Sequence, residues 1–188
     1  MKRLLIIALA LVIAGGAMAQ DTFGLWQMVD GEYRNYIPAE ECIAPFDLHI
    51  TIHNPTSFSI GGYEVGIALP VADLLVLGLG GPNGWTNFGD ALNHLVGFQT
   101  PLIVQEEIGV LCTLNMLGLS MPAEGMHIVF GASDPSSFDH DGPGYADGIN
   151  PDILVPCGYV NGSPDVFLYG GVVGTEAHSL SAVKALFD

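Results

Sequence analysis

The strongest pattern in the chain is a two-residue alternation of apolar and polar positions. Residues 46–53 read Phe-Asp-Leu-His-Ile-Thr-Ile-His, with apolar side chains at 46, 48, 50 and 52. That is the period of a strand with one buried face. The run stops at Asn54-Pro55, a turn dipeptide. Residues 62–69 repeat the pattern, with Tyr63, Val65, Ile67 and Leu69 facing inward and Pro70 as the stop. Further strands are predicted at 22–29, 74–79, 92–98, 109–119, 126–131, 152–155 and 165–169. Gly-, Pro- and Asn-rich turns separate them, among them Gly81-Pro82-Asn83-Gly84 and Asn161-Gly162-Ser163-Pro164. Many short strands with turn signals between them are the signature of a β-sandwich or barrel. The best helical stretch is 179–187, where Leu180, Val183 and Leu186/Phe187 recur at helical spacing. The prediction is therefore an all-β fold, a single antiparallel β-sandwich with a short C-terminal helix.

The N-terminus has a different character. Lys2 and Arg3 precede an unbroken apolar run from Leu4 to Ile13, and Ala17-Met18-Ala19 supplies small residues at a cleavage position. This is the pattern of a secretion signal, too short to span a bilayer, so residues 1–19 are expected to be cleaved and 20–188 to form one domain. The expected location is outside the cytoplasm: secreted, periplasmic or at the cell surface.

Cleavage changes the charge. Of 4 Lys+Arg only Arg34 and Lys184 remain, against 20 acidic residues, so the mature formal charge is 2 − 20 = −18. Such a chain repels phosphate backbones and anionic headgroups, which excludes nucleic acid and membrane surfaces as partners. Export also permits disulfides. Cys112 lies within an apolar run and reads as a buried thiol, whereas Cys42 and Cys157 border loops, and these two are the expected bridge.

Three features bear on function. Asp139, Asp141 and Asp147 offer hard oxygen ligands within nine residues, beside Gly142, Gly144 and Gly148, and form a candidate Ca²⁺ loop. The EF-hand ligand order is absent, and a solvated acidic loop is the competing reading. His49 and His53 share a strand face but stand roughly 13 Å apart at ~3.3 Å per residue, too far to chelate one ion. Trp85, in Gly84-Trp85-Thr86-Asn87, is the candidate platform for a glycan, whereas Trp26 reads as a core residue of its strand. No G-x-S-x-G elbow, H-E-x-x-H, P-loop or G-x-G-x-x-G is present, so no catalytic residues are named.

The strand 48–53, Asn54-Pro55 and then Ile60-Gly61-Gly62-Tyr63-Glu64-Val65-Gly66-Ile67 resemble the opening of cohesin-like sandwiches. Residues 109–116, Gly-Val-Leu-Cys-Thr-Leu-Asn-Met, resemble a later strand of that fold. The chain is also similar to exported proteins of environmental bacteria that share Tyr145-Ala146-Asp147-Gly148 and a C-terminal phrase like that at 181–187. It departs from them at 179–181, where Ser-Leu-Ser replaces the expected Trp-Gly. The resemblance implies a jelly-roll sandwich, and cohesins bind dockerin modules while related sandwiches bind sugars or form scaffolds. The expected function is an exported, non-catalytic binding module for a protein or glycan partner. The alternatives are a subunit that assembles with copies of itself and, last, an enzyme without a recognisable motif.

Overall fold

The computed structural model describes residues 20–171, with Asn83 excepted; the expected signal at 1–19 and the expected helix at 179–187 lie outside the described residues. In chain order the strands are β1 (Thr22–Val29), β2 (Glu32–Arg34), β3 (Tyr36–Pro38), β4 (Phe46–His53), β5 (Ser59–Ala68), β6 (Leu74–Gly80) and β7 (Trp85–Asn87). They continue with β8 (Asn93–Ile103), β9 (Ile108–Gly118), β10 (Met126–Gly131), β11 (Gly144–Asp147), β12 (Leu154–Pro156), β13 (Gly158–Tyr159) and β14 (Asp165–Gly171). A single 3-10 turn, Ala39–Glu41, is the helical element among the described residues.

Two sheets form. One runs β13–β1–β4–β9–β6, with β2 paired to β1; the other runs β12–β11–β5–β10–β14–β3, with β8 on the free side of β5 and β7 beyond it. Most neighbours are antiparallel, as expected for the sandwich, and two short pairings, β1 with β13 and β14 with β3, are parallel. The alternation predicted at 46–53 holds, with Phe46, Leu48, Ile50 and Ile52 all buried. These side chains meet those of the other sheet across the interior, where Phe23 lies 6.2 Å from Tyr63 and Phe46 stacks on Tyr169 at 6.4 Å. Aromatic pairs at such separations add to the stabilisation given by burying their area.

Cys112 enters the core through a bulge. Ile50 pairs Cys112 but Thr51 pairs Val110, so Leu111 is the extra residue and both Leu111 and Cys112 are fully buried. The expected Cys42–Cys157 bridge does not form: all three cysteines are buried thiols. The reason is the strand direction. Cys42 lies at the end where β4 begins, its carbonyl accepting from the Gly118 N–H at 3.1 Å. Cys157 lies at the end where β4 finishes, next to Gly158, whose N–H donates to Asp21 O at 3.0 Å. The eight residues of β4, taken at ~3.3 Å per step, separate these ends by roughly 23 Å, whereas a bridge needs Cα atoms within about 7 Å.

A candidate binding cleft on the outer face of the second sheet

Register builds the floor of the cleft. Gly62 on β5 pairs with Gly97 on β8 on one side and Ala146 on β11 on the other, and Ala146 pairs with Leu154 on β12. Tyr63, one position along, points into the core, so these four residues face outward in one row. Three of the four are Gly or Ala, which leaves the sheet surface low and open. Leu95, Glu64 and Gly144 form the parallel row beside it.

Walls rise from two loops. After β7, Phe88 is 76 % exposed, yet its backbone is held: its N–H donates to Leu95 O at 2.8 Å. Asn87 Oδ1 accepts from the N–H groups of Gly89 and Leu95 at 3.1 and 3.0 Å. Asp90 Oδ1 accepts from those of Leu92 and Asn93 at 2.7 and 2.8 Å. Short polar side chains bonding backbone a few residues on are what fix such a turn. Phe138 forms the opposite wall. Its ring lies over Gly144, where a Cβ would come within 2.5 Å of it. Glu64 Oε2 holds that loop down, accepting from Ser133 Oγ at 3.0 Å and from the Ser137 N–H at 2.8 Å. Asn93 joins the two loops, its Oδ1 accepting from the Asp134 N–H at 2.8 Å and its amide donating to Asp134 O. Together these residues enclose a cleft of about 280 Å³, with Leu154 closing one side.

Below the floor the polar groups are internally satisfied. The buried Tyr63 hydroxyl donates to His94 Nδ1 at 3.0 Å, and His94 Nε2–H donates to Ala91 O at 3.2 Å. The backbone acceptor sets the tautomer. Burial lowers the His94 pKa and raises that of Tyr63, and it pushes the Cys112 thiol up to about 11. Each shift favours the neutral form.

The residues singled out from sequence fall elsewhere. Asp139, Asp141 and Asp147 do not converge, and among the described residues no group of three His, Cys, Asp or Glu side chains is placed to hold a metal ion. The expected calcium loop is interrupted by β11. Asp147 sits at the end of that strand, where its carboxylate accepts from the N–H groups of Ile149 and Asn150 at 2.7 and 2.8 Å. A hydrogen bond from Ser57 and these two backbone bonds lower its pKa. Trp85 is not the exposed platform. It pairs with the inward-facing Phe98, packs against the core, and lies so close to Gly81 that a Cβ there would come within 2.4 Å of the indole. Phe88, three residues on, is the exposed ring. Trp26, expected in the core, faces outward on the first sheet, its Nε1–H donating to His53 Nε2 at 3.1 Å. His49 on that face contacts Thr113 Oγ1 at 3.0 Å. The sequence holds only a trace of the cleft, a glycine at each of two outward strand positions, Gly62 and Gly97, which nothing but register brings together.

No protein-family model and no curated protein matches the chain. Among solved structures, it is similar to the sixth cohesin of scaffoldin B from Acetivibrio cellulolyticus, solved in complex with a mutated dockerin of Cel5. The two share 11% identity at a TM-score of 0.51, over 82% of this chain and 100% of that one. The fold is a cohesin-like β-sandwich.

Proposed function

We propose that the protein is an exported, non-catalytic binding module that takes a protein partner through the cleft between Phe88 and Phe138. The observation that carries this reading is an exposed aromatic side chain on a backbone already fixed by hydrogen bonds before any partner arrives. Solvent-exposed apolar groups in a framed concavity mark interaction sites. An anchor with its backbone already fixed loses little conformational freedom on binding, which favours affinity. The fold supports the same reading, since the similar cohesin was solved with a dockerin bound. Catalysis finds no support in the cleft: of the two titratable side chains among its lining residues, Tyr63 points into the core toward His94 and the Glu64 carboxylate is engaged in holding the 133–142 loop. General acid–base chemistry needs a positioned group free to exchange a proton with a substrate.

The test is calorimetry with proteins exported by the same organism that crosslink to the full chain. Truncating a central aromatic anchor typically costs about 2 kcal/mol or more, roughly 30-fold in Kd. Phe88→Ala is expected to lose at least that much while unfolding at an unchanged denaturant midpoint, and Phe138→Ala to lose as much affinity together with some stability, since its ring packs over Gly144. A partner whose affinity ignores both substitutions would sink the cleft as the binding site.

A further inference from the structure

We infer that the cleft, read as a protein-binding site, selects a cationic polypeptide segment bearing one aromatic or aliphatic anchor residue. The charge around it has one sign. Glu64 lines the cleft, Asp139 follows the wall residue Phe138, Asp90 and Asp152 stand two residues along the chain from Phe88 and Leu154, and Asp134 sits where Asn93 ties the two framing loops through the Asp134 backbone. No lysine occurs among the described residues, and the single arginine there, Arg34, lies on β2 of the other sheet. Arg34 is itself engaged, donating through Nε to Gln27 Oε1 at 2.9 Å and pairing with Glu41. An approaching cation therefore meets a negative field with no Lys or Arg on the same face among the described residues.

The interior of the cleft decides between a peptide and a sugar. A neutral glycan needs hydrogen-bond donors and acceptors along its rim and floor. Here the floor is Gly62, Gly97 and Ala146, and the polar side chains beside it are few: Glu64, which accepts from the Ser133 hydroxyl and the Ser137 N–H, and Ser137. An apolar side chain fits between Phe88, Phe138 and Leu154, and flanking lysines or arginines fit the surrounding carboxylates. The two parts have different roles. Exposed ion pairs steer the encounter and discriminate between partners, whereas the buried anchor holds the complex together.

The experiment follows amide shifts by NMR in the full chain during titration with three synthetic peptides. The first is Lys-Leu-Lys-Trp-Lys-Leu-Lys, the second has glutamate for every lysine, and the third has alanine for tryptophan. The first is expected to shift the amides of Gly62, Phe88 and Gly97, with a Kd at least ~10-fold below that of the glutamate peptide and ~10-fold weaker when salt rises from about 0.02 to about 0.5 M. The alanine peptide, and the first peptide on Phe88→Ala, are expected to lose these shifts. Equal binding of the acidic and basic peptides at the cleft overturns the charge selection while leaving the cleft as a peptide site. Shifts confined to another face, or none with any peptide, overturn both this inference and the functional reading beneath it. Shifts at the same amides with cellohexaose but not with peptide replace the polypeptide by a glycan.

Discussion

Beneath the cleft, His94 is the residue whose chemistry is most constrained. It is fully buried, accepts a hydrogen bond from the Tyr63 hydroxyl at Nδ1 and donates to Ala91 O through Nε2, so a second ring proton would displace the Tyr63 hydrogen from that contact and place a charge in the core. Burial accordingly lowers its pKa below 6.5, and burial lowers those of His49 and His53 in the same direction. The unfolded chain thus binds protons at a pH where the folded chain does not. The stability these histidines support is present above about pH 6.5 and is lost as pH falls through the unfolded value toward the folded one. Asp147 lies outside this window, because its hydrogen bonds lower its pKa from 3.8. Urea unfolding followed from about pH 7 to about pH 5 should show stability falling, with a slope of up to about 1.4 kcal/mol per pH unit for each histidine. In His94→Asn the slope should flatten, even though the protein starts less stable because the hydrogen bonds to Tyr63 and Ala91 are disturbed. An undiminished slope in that variant would remove His94 from the explanation.

At the level of the strands, the two glycines of the cleft floor sit opposite each other yet have different reasons to be glycine. A Cβ on Gly62 would come within 2.4 Å of Val96 O, a backbone atom that cannot move without opening the β5–β8 pairing. A Cβ on Gly97 would meet only the Phe88 ring, at 3.5 Å, an ordinary contact. Gly62→Ala should therefore destabilise the protein by about 1–3 kcal/mol, as overpacking does. Gly97→Ala should stay within about 0.5 kcal/mol of the parent in the same denaturation measurement, while narrowing the cleft. If Gly62→Ala proved neutral, the floor would not be packed as closely as its register implies. The same comparison shows what a single sequence carries. β4 and β10 were legible to the residue because each keeps one face buried along its length, and burial of one face is what writes a period of two; β1, buried on both faces over 22–25, carries no such period. β2, β3, β7, β11 and β13 have two to four residues and no room for a period. The cleft was illegible for a further reason: it joins residues 62, 88, 97, 138 and 154, which only strand register brings together. Register likewise sends Trp85 inward opposite Phe98 and leaves Phe88 outside, a difference that local composition around 84–88 does not contain. The Cys42–Cys157 expectation failed at the same level, since a loop position does not tell at which end of the sandwich the loop lies.

For the molecule as a whole, net charge and exposed apolar surface oppose each other. The chain carries a formal charge of −16, and its described part has one cation. At the edge of the first sheet, however, β6 reads Leu-Leu-Val-Leu-Gly-Leu-Gly, with no ionisable side chain and with Leu75 and Leu77 exposed. An uncharged apolar edge strand is a template for pairing with another copy, and lysine, a common guard against it, is missing there. Two features counter that tendency. A bulge between Val76 and Gly78 makes Leu77 the extra residue and twists the edge. Repulsion between two copies this negative also acts over about a Debye length, roughly 10 Å at 0.1 M salt, comparable to the spacing of apposed sheets. Light scattering should accordingly find a monomer at low ionic strength, and a binding module should remain one when salt is raised or calcium is added and then chelated. An assembly that grows with salt would transfer the reading to a self-assembling subunit. Leu77→Lys would then locate the seam, because a charge placed on β6 abolishes assembly if that edge is the contact and leaves it intact if the copies meet elsewhere.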